Sequence, residues 1–216
     1  MHFFICGTDT DVGKTITSAH IMAQFAARHD LYYWKPVQSG ADDDDSRTVQ
    51  KLSQVASARI LPGAWHFSKP LSPHYAAELD GQRIHLPKLV DRFRELQGHN
   101  LIVEGAGGLL VPLNRHDTWI DFLRLTRLPV IVVARSGLGT INHSLLTVER
   151  LRLEKLVVKG IVFTGPFNAD NVRTVCDFSG LPCLAAFDYN ETAESATSGT
   201  AAPLKAVFQR DLDDLE

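Results

Sequence analysis

The stretch that decides the fold is "HFFICGTDTDVGKT" (2–15), close to the amino terminus. Its first half is apolar and predicts a buried strand, and residues 15–29 carry apolar side chains at helical spacing. Between them stands Gly13-Lys14-Thr15, a triplet that in this context is typical of a phosphate-binding loop. In such loops, backbone N–H groups and the helix N-terminus surround an anion, and the lysine adds a full positive charge.

The loop departs from the usual pattern G-x-x-x-x-G-K-[ST]. Thr8 stands in the place of the first glycine, and Gly7 comes one residue earlier. A capped turn without a ligand is an alternative interpretation, because the triplet alone is short. The strand before it and the helix after it favour phosphate binding. The other Thr and Asp side chains of the loop are then expected to contact magnesium, the nucleotide or a second ligand.

Further strands and helices alternate along the chain. The predicted strands cover 2–6, 31–34, 100–105, 129–135 and 157–165, and the predicted helices cover 15–29, 47–55, 86–98, 119–127 and 141–155. Several of the strands are apolar almost without alternation, as in strands buried on both faces of a parallel sheet. The pattern predicts an α/β fold with three layers, a mostly parallel sheet flanked by helices, of the P-loop nucleoside triphosphate hydrolase type.

The 216 residues show no internal repeat and no low-complexity linker, so we expect a single domain over 1–216. Residues 191–203 are expected to form a surface loop before a short C-terminal helix. The net charge of −3 favours neither nucleic acid nor a membrane surface as a partner. No apolar run approaches the ~20 residues of a membrane span.

The chain has three cysteines, Cys6, Cys176 and Cys183, without the CxxC spacing of a metal or redox motif. A reducing compartment is the simplest interpretation of this pattern. Together with the composition, it predicts a soluble cytoplasmic protein.

Polar and glycine-rich segments follow four of the predicted strands, at 7–15, 35–36, 104–108 and 136–142. In open parallel sheets, ligands bind beyond the carboxyl ends of the strands. Because these ends lie at one edge of the sheet, the four segments are expected to form one shared site.

Lys35 follows a buried strand directly, and Pro36 then takes the chain out of regular structure. A lysine at a buried strand end is costly unless it meets an anion, although a lysine that reaches solvent along the surface is the alternative. Two lysines, Lys14 and Lys35, at one edge suit a phosphoryl group in transfer, where catalysis is mainly positioning and charge neutralisation.

Three oxygen donors are candidates for a magnesium site, namely Thr15, Asp45 and Glu104. Mg²⁺ prefers hard oxygen ligands and usually accompanies nucleotide phosphates. Glu104 ends an apolar strand, and the helical spacing that follows Asp45 places that residue at a helix start. A solvated acid is the alternative for each carboxylate, and Asp44 remains a second choice beside Asp45.

Five segments together resemble the dethiobiotin synthetase family. They are "GTDTDVGKT" (7–15), "KPVQSG" (35–40), "SPHYAAELDG" (72–81), "VEGAGGLLVPL" (103–113) and "LGTINHSLLT" (138–147). Each is weak by itself, but they follow the family's order and the resemblance covers nearly all of residues 1–165. The segment 72–81 is the most specific, because a generic phosphate-loop protein has no need of it.

The resemblance implies Mg-ATP-dependent ring closure of 7,8-diaminononanoate (diaminopelargonate) with CO₂. A carbamate forms on one nitrogen, ATP phosphorylates it to a carbamic–phosphoric anhydride, and the second amine closes the ureido ring of dethiobiotin, which leaves ADP and phosphate. It also implies a homodimer with composite sites, in which residues 138–142 of one subunit bind the substrate carboxylate in the site of the other. On sequence alone, an ordinary helix cap explains that segment equally well.

The resemblance also implies residue roles. Lys14 and Lys35 are the expected catalytic residues, and Thr15, Asp45 and Glu104 are the expected metal ligands. The expected ATP-binding residues are Asp11, Val12, Gly13, Lys14, Thr15, Ile16, Asp45, Glu104, Gly105, Ala106, Gly107, Thr164 and Gly165. The expected substrate-binding residues are Thr10, Ser39, Leu138, Gly139, Thr140, Ile141 and Asn142.

Two positions depart from the family pattern around the nucleotide base. Thr164 stands where the family usually has an asparagine that reads adenine, and "DYN" (188–190) replaces a Pro-x-Leu segment. Threonine lacks the paired donor and acceptor of an amide, so we expect looser discrimination among nucleotides.

Three other function classes are compatible with the opening loop. One is an ATPase or GTPase switch, another is an amidotransferase-linked ligase, and the third is a catalytically silent nucleotide-binding homologue. The segments 35–40 and 72–81 argue against a switch, which needs no substrate pocket, and 216 residues leave no room for a glutaminase domain. The retained Lys14, Lys35 and Glu104 argue against a silent homologue.

Overall fold

The computed structural model describes residues 1–41, 44–188, 208 and 211–215. Its strands are β1 (His2–Gly7), β2 (Leu31–Trp34), β3 (Val37–Ser39), β4 (Ile60–Leu61), β5 (Trp65–Phe67), β6 (Asn100–Gly108), β7 (Val130–Arg135), β8 (Val158–Thr164) and β9 (Cys183–Phe187). Its α-helices are α1 (Lys14–His29), α2 (Asp45–Ser53), α3 (Pro73–Leu79), α4 (Leu86–Leu96), α5 (Trp119–Thr126), α6 (Thr140–Leu153) and α7 (Ala169–Ser179).

The main sheet has seven strands in the order β4-β2-β6-β1-β7-β8-β9, and every pairing in it is parallel. A second, two-stranded parallel sheet joins β3 to β5. The predicted α/β fold with a parallel sheet is therefore confirmed.

Side chains of the sheet alternate between two apolar cores. In β1, Phe3 and Ile5 pack with α1 and α2 on one face, whereas Phe4 and Cys6 pack with α4 to α7 on the other. Each face of the sheet thus carries its own layer of helices. This burial on both faces explains why the strands are apolar without alternation.

The strand register brings the predicted polar segments together. Strand β6 lies between β1 and β2, with Glu104 opposite Ile5 and Val103 opposite Trp34. Lys35, the residue after β2, is thereby placed beside Glu104 at the carboxyl edge. The expectation that segments far apart in sequence share this edge is confirmed for these two residues.

Several elements were not predicted. The second sheet and β4 are strands of only two or three residues, too short for a periodic signal, and α3 has only seven residues. The helix α7 and the strand β9 were also missed, although α7 has an Asn168 cap that accepts from the Asn171 backbone N–H. The expected loop at 191–203 lies outside the described residues, and of the C-terminal helix only a 3-10 turn at Asp213–Leu215 is described.

Among the described residues, none of the helices is both long enough and apolar enough to cross a bilayer.

Candidate active site

The loop between β1 and α1 depends on two glycines. Gly13 adopts φ +84°, a left-handed conformation that suits glycine, and forms the N-cap of α1. A Cβ at Gly7 would lie 2.6 Å from the Asp9 carbonyl oxygen, so a side chain there would collide with the loop backbone. Gly7 therefore allows the tight turn even though Thr8 occupies the motif's usual glycine position. The Lys14 ammonium closes the loop by donating to the same Asp9 carbonyl at 3.0 Å.

Lys35 lies in a cluster of buried charges. Its ammonium nitrogen is 2.7 Å from Oδ2 of Asp45 and 2.9 Å from Oε1 of Glu104, and it also donates to the Gly105 carbonyl at 3.1 Å. Lys35 is only 4% exposed and Glu104 is 0% exposed. The lysine that the sequence placed at a buried strand end thus meets anions and does not reach solvent.

The two lysines differ in how burial is compensated. Burial lowers the pKa of Lys14, and the positive charge of Lys35 lowers it further. Burial acts in the same direction on Lys35, but Glu104 and Asp45 outweigh it and raise the pKa of Lys35 to about 12. The ammonium of Lys35 is accordingly held by two carboxylates, while Lys14 has a backbone carbonyl as its close partner.

Thr15 joins the two carboxylates at the start of α1. Its hydroxyl donates to Oδ1 of Asp45 at 2.6 Å and lies 3.1 Å from Oε1 of Glu104. Despite burial, the charge of Lys35 holds the pKa of Asp45 below its usual range. The structure therefore brings the oxygens of all three predicted metal ligands into one hydrogen-bonded group.

Asp44 and Asp45 occupy different positions at the start of α2. The Asp44 carboxylate caps the helix by accepting from the backbone N–H of Arg47 at 3.1 Å, and it pairs with the Arg47 side chain at 3.2 Å. Asp45 begins the helix, as the sequence predicted, and its carboxylate faces Lys35 and Thr15. The geometry favours Asp45 over Asp44 as a metal ligand.

Two further donors contact Glu104 and were missed from the sequence. Ser18 donates to Oε2 of Glu104 at 2.6 Å and Tyr33 donates to the same oxygen at 3.1 Å. Burial and the charge of Glu104 raise the pKa of Tyr33 well above its usual value, so its hydroxyl stays protonated. The spacing of Ser18, three residues after Thr15 on one helix, was an available signal.

A cavity of about 850 Å³ lies in front of this cluster. From the predicted site, its lining includes Thr10, Asp11, Gly13, Lys14, Thr15, Ile16, Lys35, Ser39, Asp45, Glu104, Ala106 and Gly107. The segment 70–73, the residues just before α3 and its first residue, closes one side of it. The cavity thus combines the phosphate loop, both lysines and part of the segment that was most specific for the family.

Other predicted residues lie elsewhere. Val12 is buried in the core, and the hydroxyl of Thr164 is also buried and donates to the Val12 carbonyl at 2.8 Å. Thr164 therefore stabilises the phosphate loop through its backbone. Contacts of Thr164 and Gly165 with a nucleotide base stay predictions. Gly105 contributes its carbonyl to Lys35 and is not part of the cavity lining.

The segment 138–142 lies outside the main cavity. Leu138, Gly139, Ile141 and Asn142 line a separate pocket of about 430 Å³ at the start of α6. Thr140 is buried, with its hydroxyl 3.1 Å from that of Ser144. Within the described part of this one chain, the segment does not meet the phosphate loop in a common pocket.

The donor set fits a magnesium ion. Thr15, Asp45 and Glu104 supply a hydroxyl and two carboxylates, which are the hard oxygen ligands that Mg²⁺ prefers. The ammonium of Lys35 already occupies the space between the two carboxylates as a positive charge. These oxygens are thus arranged around a cation, and a divalent ion is suited to the same position.

The chain is similar to curated enzymes over most of its length. It is 47% identical over 175 residues to the ATP-dependent dethiobiotin synthetase BioD of Nitrobacter hamburgensis, covering 80% of this chain and 79% of the relative. Its identity to the synthetase of the same name from Novosphingobium aromaticivorans is 41% over 209 residues, covering 91% and 95%. A family model described as an AAA domain matches residues 1–197.

Solved structures show the same fold at low sequence identity. A ParA family ATPase from Chlorobium tepidum superposes with a TM-score of 0.57 at 11% identity, covering 93% of this chain and 90% of that one. The cell division ATPase MinD of Pyrococcus furiosus gives a TM-score of 0.56 at 14% identity, covering 93% of both chains. These neighbours confirm the P-loop type of fold, and the identity to curated relatives shows that the chain belongs to the dethiobiotin synthetase family.

Proposed function

We propose that this chain is a dethiobiotin synthetase, an ATP-dependent ligase that closes the ureido ring of dethiobiotin from 7,8-diaminononanoate and CO₂ in biotin biosynthesis. The single observation that carries this proposal is the cavity that joins the phosphate loop to the Lys35–Asp45–Glu104 cluster. Family membership supplies the substrates, since the similar enzymes are named for this reaction.

The phosphate loop is proposed to bind the triphosphate of ATP. Residues 11–16 would surround the phosphates with backbone N–H groups at the N-terminus of α1, where the helix dipole favours negative charge. Lys14 would turn from the Asp9 carbonyl toward the phosphates, because its present partner is neutral and a phosphate is a stronger acceptor.

The phosphoryl transfer brings two anions together, the carbamate and ATP. A substrate amine attacks CO₂, loses a proton and becomes a carbamate, and a carbamate oxygen then attacks the terminal phosphorus of ATP as the bond to ADP breaks. Mutual repulsion opposes this approach, most strongly where water is excluded. Lys14 and Lys35 line the same cavity, and their ammonium groups would neutralise the charge where the two anions meet.

The last step closes the ureido ring. The remaining amine attacks the carbonyl carbon of the anhydride, the carbon–oxygen bond to phosphate breaks, and the nitrogen loses a proton. The main contribution of the cavity is to hold the amine beside this carbon, which makes the closure intramolecular. In favourable systems such positioning lowers a barrier by ~7–11 kcal/mol. Thr10 and Ser39 line the cavity and are the proposed contacts to the diamine or its carbamate.

Magnesium is the proposed cofactor, with Thr15, Asp45 and Glu104 as its ligands. When bound, the ion would supply a divalent charge that offsets the negative charge of the phosphates. Lys35 now pairs with Asp45 and Glu104. Because Mg²⁺ would satisfy these carboxylates, we expect the ammonium of Lys35 to turn toward the carbamate and the transferred phosphoryl group.

We further propose a cytoplasmic homodimer with composite sites, in which segment 138–142 of one protomer binds the substrate carboxylate in its partner. The exposed leucines Leu138 and Leu146 beside the second pocket support an interface there. The free thiols of Cys6, Cys176 and Cys183 support a reducing compartment. We also propose that residues 1–216 form one domain, since strands from both halves of the chain join one sheet.

The test is ADP release by the purified protein with each substrate omitted in turn. A dethiobiotin synthetase releases ADP only when diaminononanoate and bicarbonate are both present, and dethiobiotin appears in equal amount. A switch ATPase, the alternative within this fold group, would hydrolyse ATP without them. Hydrolysis independent of the diamine, or no turnover with all substrates present, would refute the proposal.

A further inference from the structure

The Glu104 carboxylate is divided between two sets of donors. Its Oε1 faces the ammonium of Lys35 at 2.9 Å and the hydroxyl of Thr15 at 3.1 Å. Its Oε2 accepts from Ser18 at 2.6 Å and from Tyr33 at 3.1 Å. The first set lines the cavity, whereas Ser18 and Tyr33 are buried and do not line it.

We propose that Ser18 and Tyr33 are positioning residues, which fix Oε2 of Glu104 and so aim Oε1 at the magnesium site. This inference rests on the proposed function of Glu104 as a metal ligand. A carboxylate has two equivalent oxygens and rotates about its last bond unless hydrogen bonds hold it. Two hydroxyls on one oxygen leave the other with a single orientation toward Thr15 and Lys35.

The two donors come from different rigid elements. Ser18 lies one helical turn after Thr15 on α1, and Tyr33 precedes the end of β2, two residues before Lys35. Helix α1 thus supplies one group to each oxygen of the carboxylate, and so does the segment made of β2 and the next residue, Lys35. Any movement of α1 relative to the sheet would displace the Ser18 and Thr15 contacts together, so the orientation of Glu104 is tied to the packing of the phosphate loop.

Hydrogen bonds to a ligating carboxylate are known to contribute strongly to metal binding, and their loss typically lowers metal affinity or activity by ~10–100-fold. We therefore expect Ser18→Ala, which removes the shorter bond, to weaken metal binding about tenfold. Tyr33→Phe removes the longer bond without changing the ring, and it is expected to have a smaller effect in the same direction.

The experiment measures the affinity of the full-length protein for AMPPNP, a non-hydrolysable ATP analogue, with EDTA and with saturating Mn²⁺. The ratio of the two dissociation constants is the metal gain. Ser18→Ala and Tyr33→Phe should reduce the metal gain and leave affinity in EDTA unchanged, because neither residue lines the cavity. A merely structural role would instead lower the melting temperature and weaken binding in both conditions.

Two matched controls use neighbouring residues. Thr17→Val removes a buried hydroxyl from the residue next to Ser18. The Thr17 hydroxyl has no hydrogen-bond partner within the described part of the chain. Tyr32→Phe alters the residue before Tyr33. The ring of Tyr32 lies against that of His99, with 4.3 Å between the ring centroids. Both controls should keep the full metal gain.

A double-mutant cycle with Glu104→Gln shows whether Ser18 acts through Glu104. In that background, Ser18→Ala should cause less than about a twofold further loss of metal gain. If Glu104→Gln lowers the metal gain but Ser18→Ala and Tyr33→Phe do not, the positioning role is refuted and the metal role of Glu104 stands. An unchanged metal gain in Glu104→Gln would overturn both, whereas dethiobiotin formation by the wild-type protein is tested independently by ADP release.

Discussion

The carboxyl edge around Glu104 and the start of α6 around Leu138 differ in how their side chains are satisfied. At the edge, Lys35 and Glu104 are buried and Asp45 is partly buried, and the ammonium of Lys35 pairs with Asp45 at 2.7 Å and with Glu104 at 2.9 Å. At the start of α6, Leu138 is fully exposed, and the pocket beside it is lined mostly by apolar and amide side chains together with Glu149. The first region is complete within one chain, and the second has an apolar surface that nothing described covers.

The difference shows whether the side-chain positions of each region are determined by contacts within one chain or by a second copy. The orientation of Lys35 is set by opposite charges on β6 and α2, so its chemistry follows from the fold of a single chain. The proposed role of segment 138–142 needs a second copy of the chain. Changes at the edge should therefore affect catalysis directly, whereas changes at α6 should act through assembly.

The largest effect is expected at the edge. Lys35→Ala should lower kcat by about 10²–10³-fold, because it removes a buried charge from the point where two anions meet. AMPPNP binding should stay within a few-fold, since the phosphate loop is unchanged. The exposed Lys51→Ala on α2 is the control. Near-normal turnover in Lys35→Ala would exclude this lysine from the mechanism.

The next effect concerns α6. Leu138→Asp should convert the proposed dimer to a monomer in sedimentation experiments, because a charge is costly in an apolar interface. It should raise KM for diaminononanoate at least about tenfold, through the lost carboxylate site, while AMPPNP affinity is unchanged. Leu125→Asp alters another exposed leucine, on α5, and should do neither. A wild-type protein that sediments as a monomer would contradict the composite site.

A smaller change is expected for magnesium. Thr15→Val should raise the Mg²⁺ concentration needed for half-maximal activity about tenfold, since it removes one proposed ligand but leaves both carboxylates. Thr126→Val removes a hydroxyl on α5 that donates to the Phe122 carbonyl, and it should not change the titration. An unchanged Mg²⁺ titration in Thr15→Val would argue against direct ligation.

The smallest difference is expected among nucleotides. GTP and CTP should support turnover with KM values within about tenfold of that for ATP, because two amide hydrogen bonds of ~1 kcal/mol each are missing at Thr164. The Thr164 hydroxyl has one proton, and it donates that proton to the Val12 carbonyl. Strict preference for ATP in steady-state kinetics would show that another group reads the base.

The parts of the fold that could be predicted are those with a local signal. Four of the five predicted strands and the helix after the phosphate loop were found within one residue, because burial on both faces and helical periodicity are visible in sequence. The fifth strand, β6, runs three residues past its predicted end at 105. The short strands β3 to β5 carry no such period. They depend on tertiary pairing, as between Val37 and Trp65, which no local pattern records.

The site residues also divide into those with a local sequence signal, which were predicted, and those without one, which were missed. Lys14 was a candidate because it belongs to the phosphate-loop triplet Gly13-Lys14-Thr15, and Lys35 and Glu104 were candidates because each lies at the end of a buried strand. Ser18 and Tyr33 were missed because a serine in a helix and a tyrosine in a strand are ordinary residues there. Their contact with Glu104 bridges 86 and 71 positions of sequence and depends on the strand order.

The central claim is that buried cations bring two anions together at the carboxyl edge. A crystal structure of the protein with Mg²⁺, a non-hydrolysable ATP analogue and the carbamate of diaminononanoate tests it most directly. We predict that the metal lies against Thr15, Asp45 and Glu104, and that the ammonium of Lys35 lies between the carbamate and the terminal phosphate. An ammonium still paired with Asp45 and Glu104, or turned into bulk solvent, would contradict the claim.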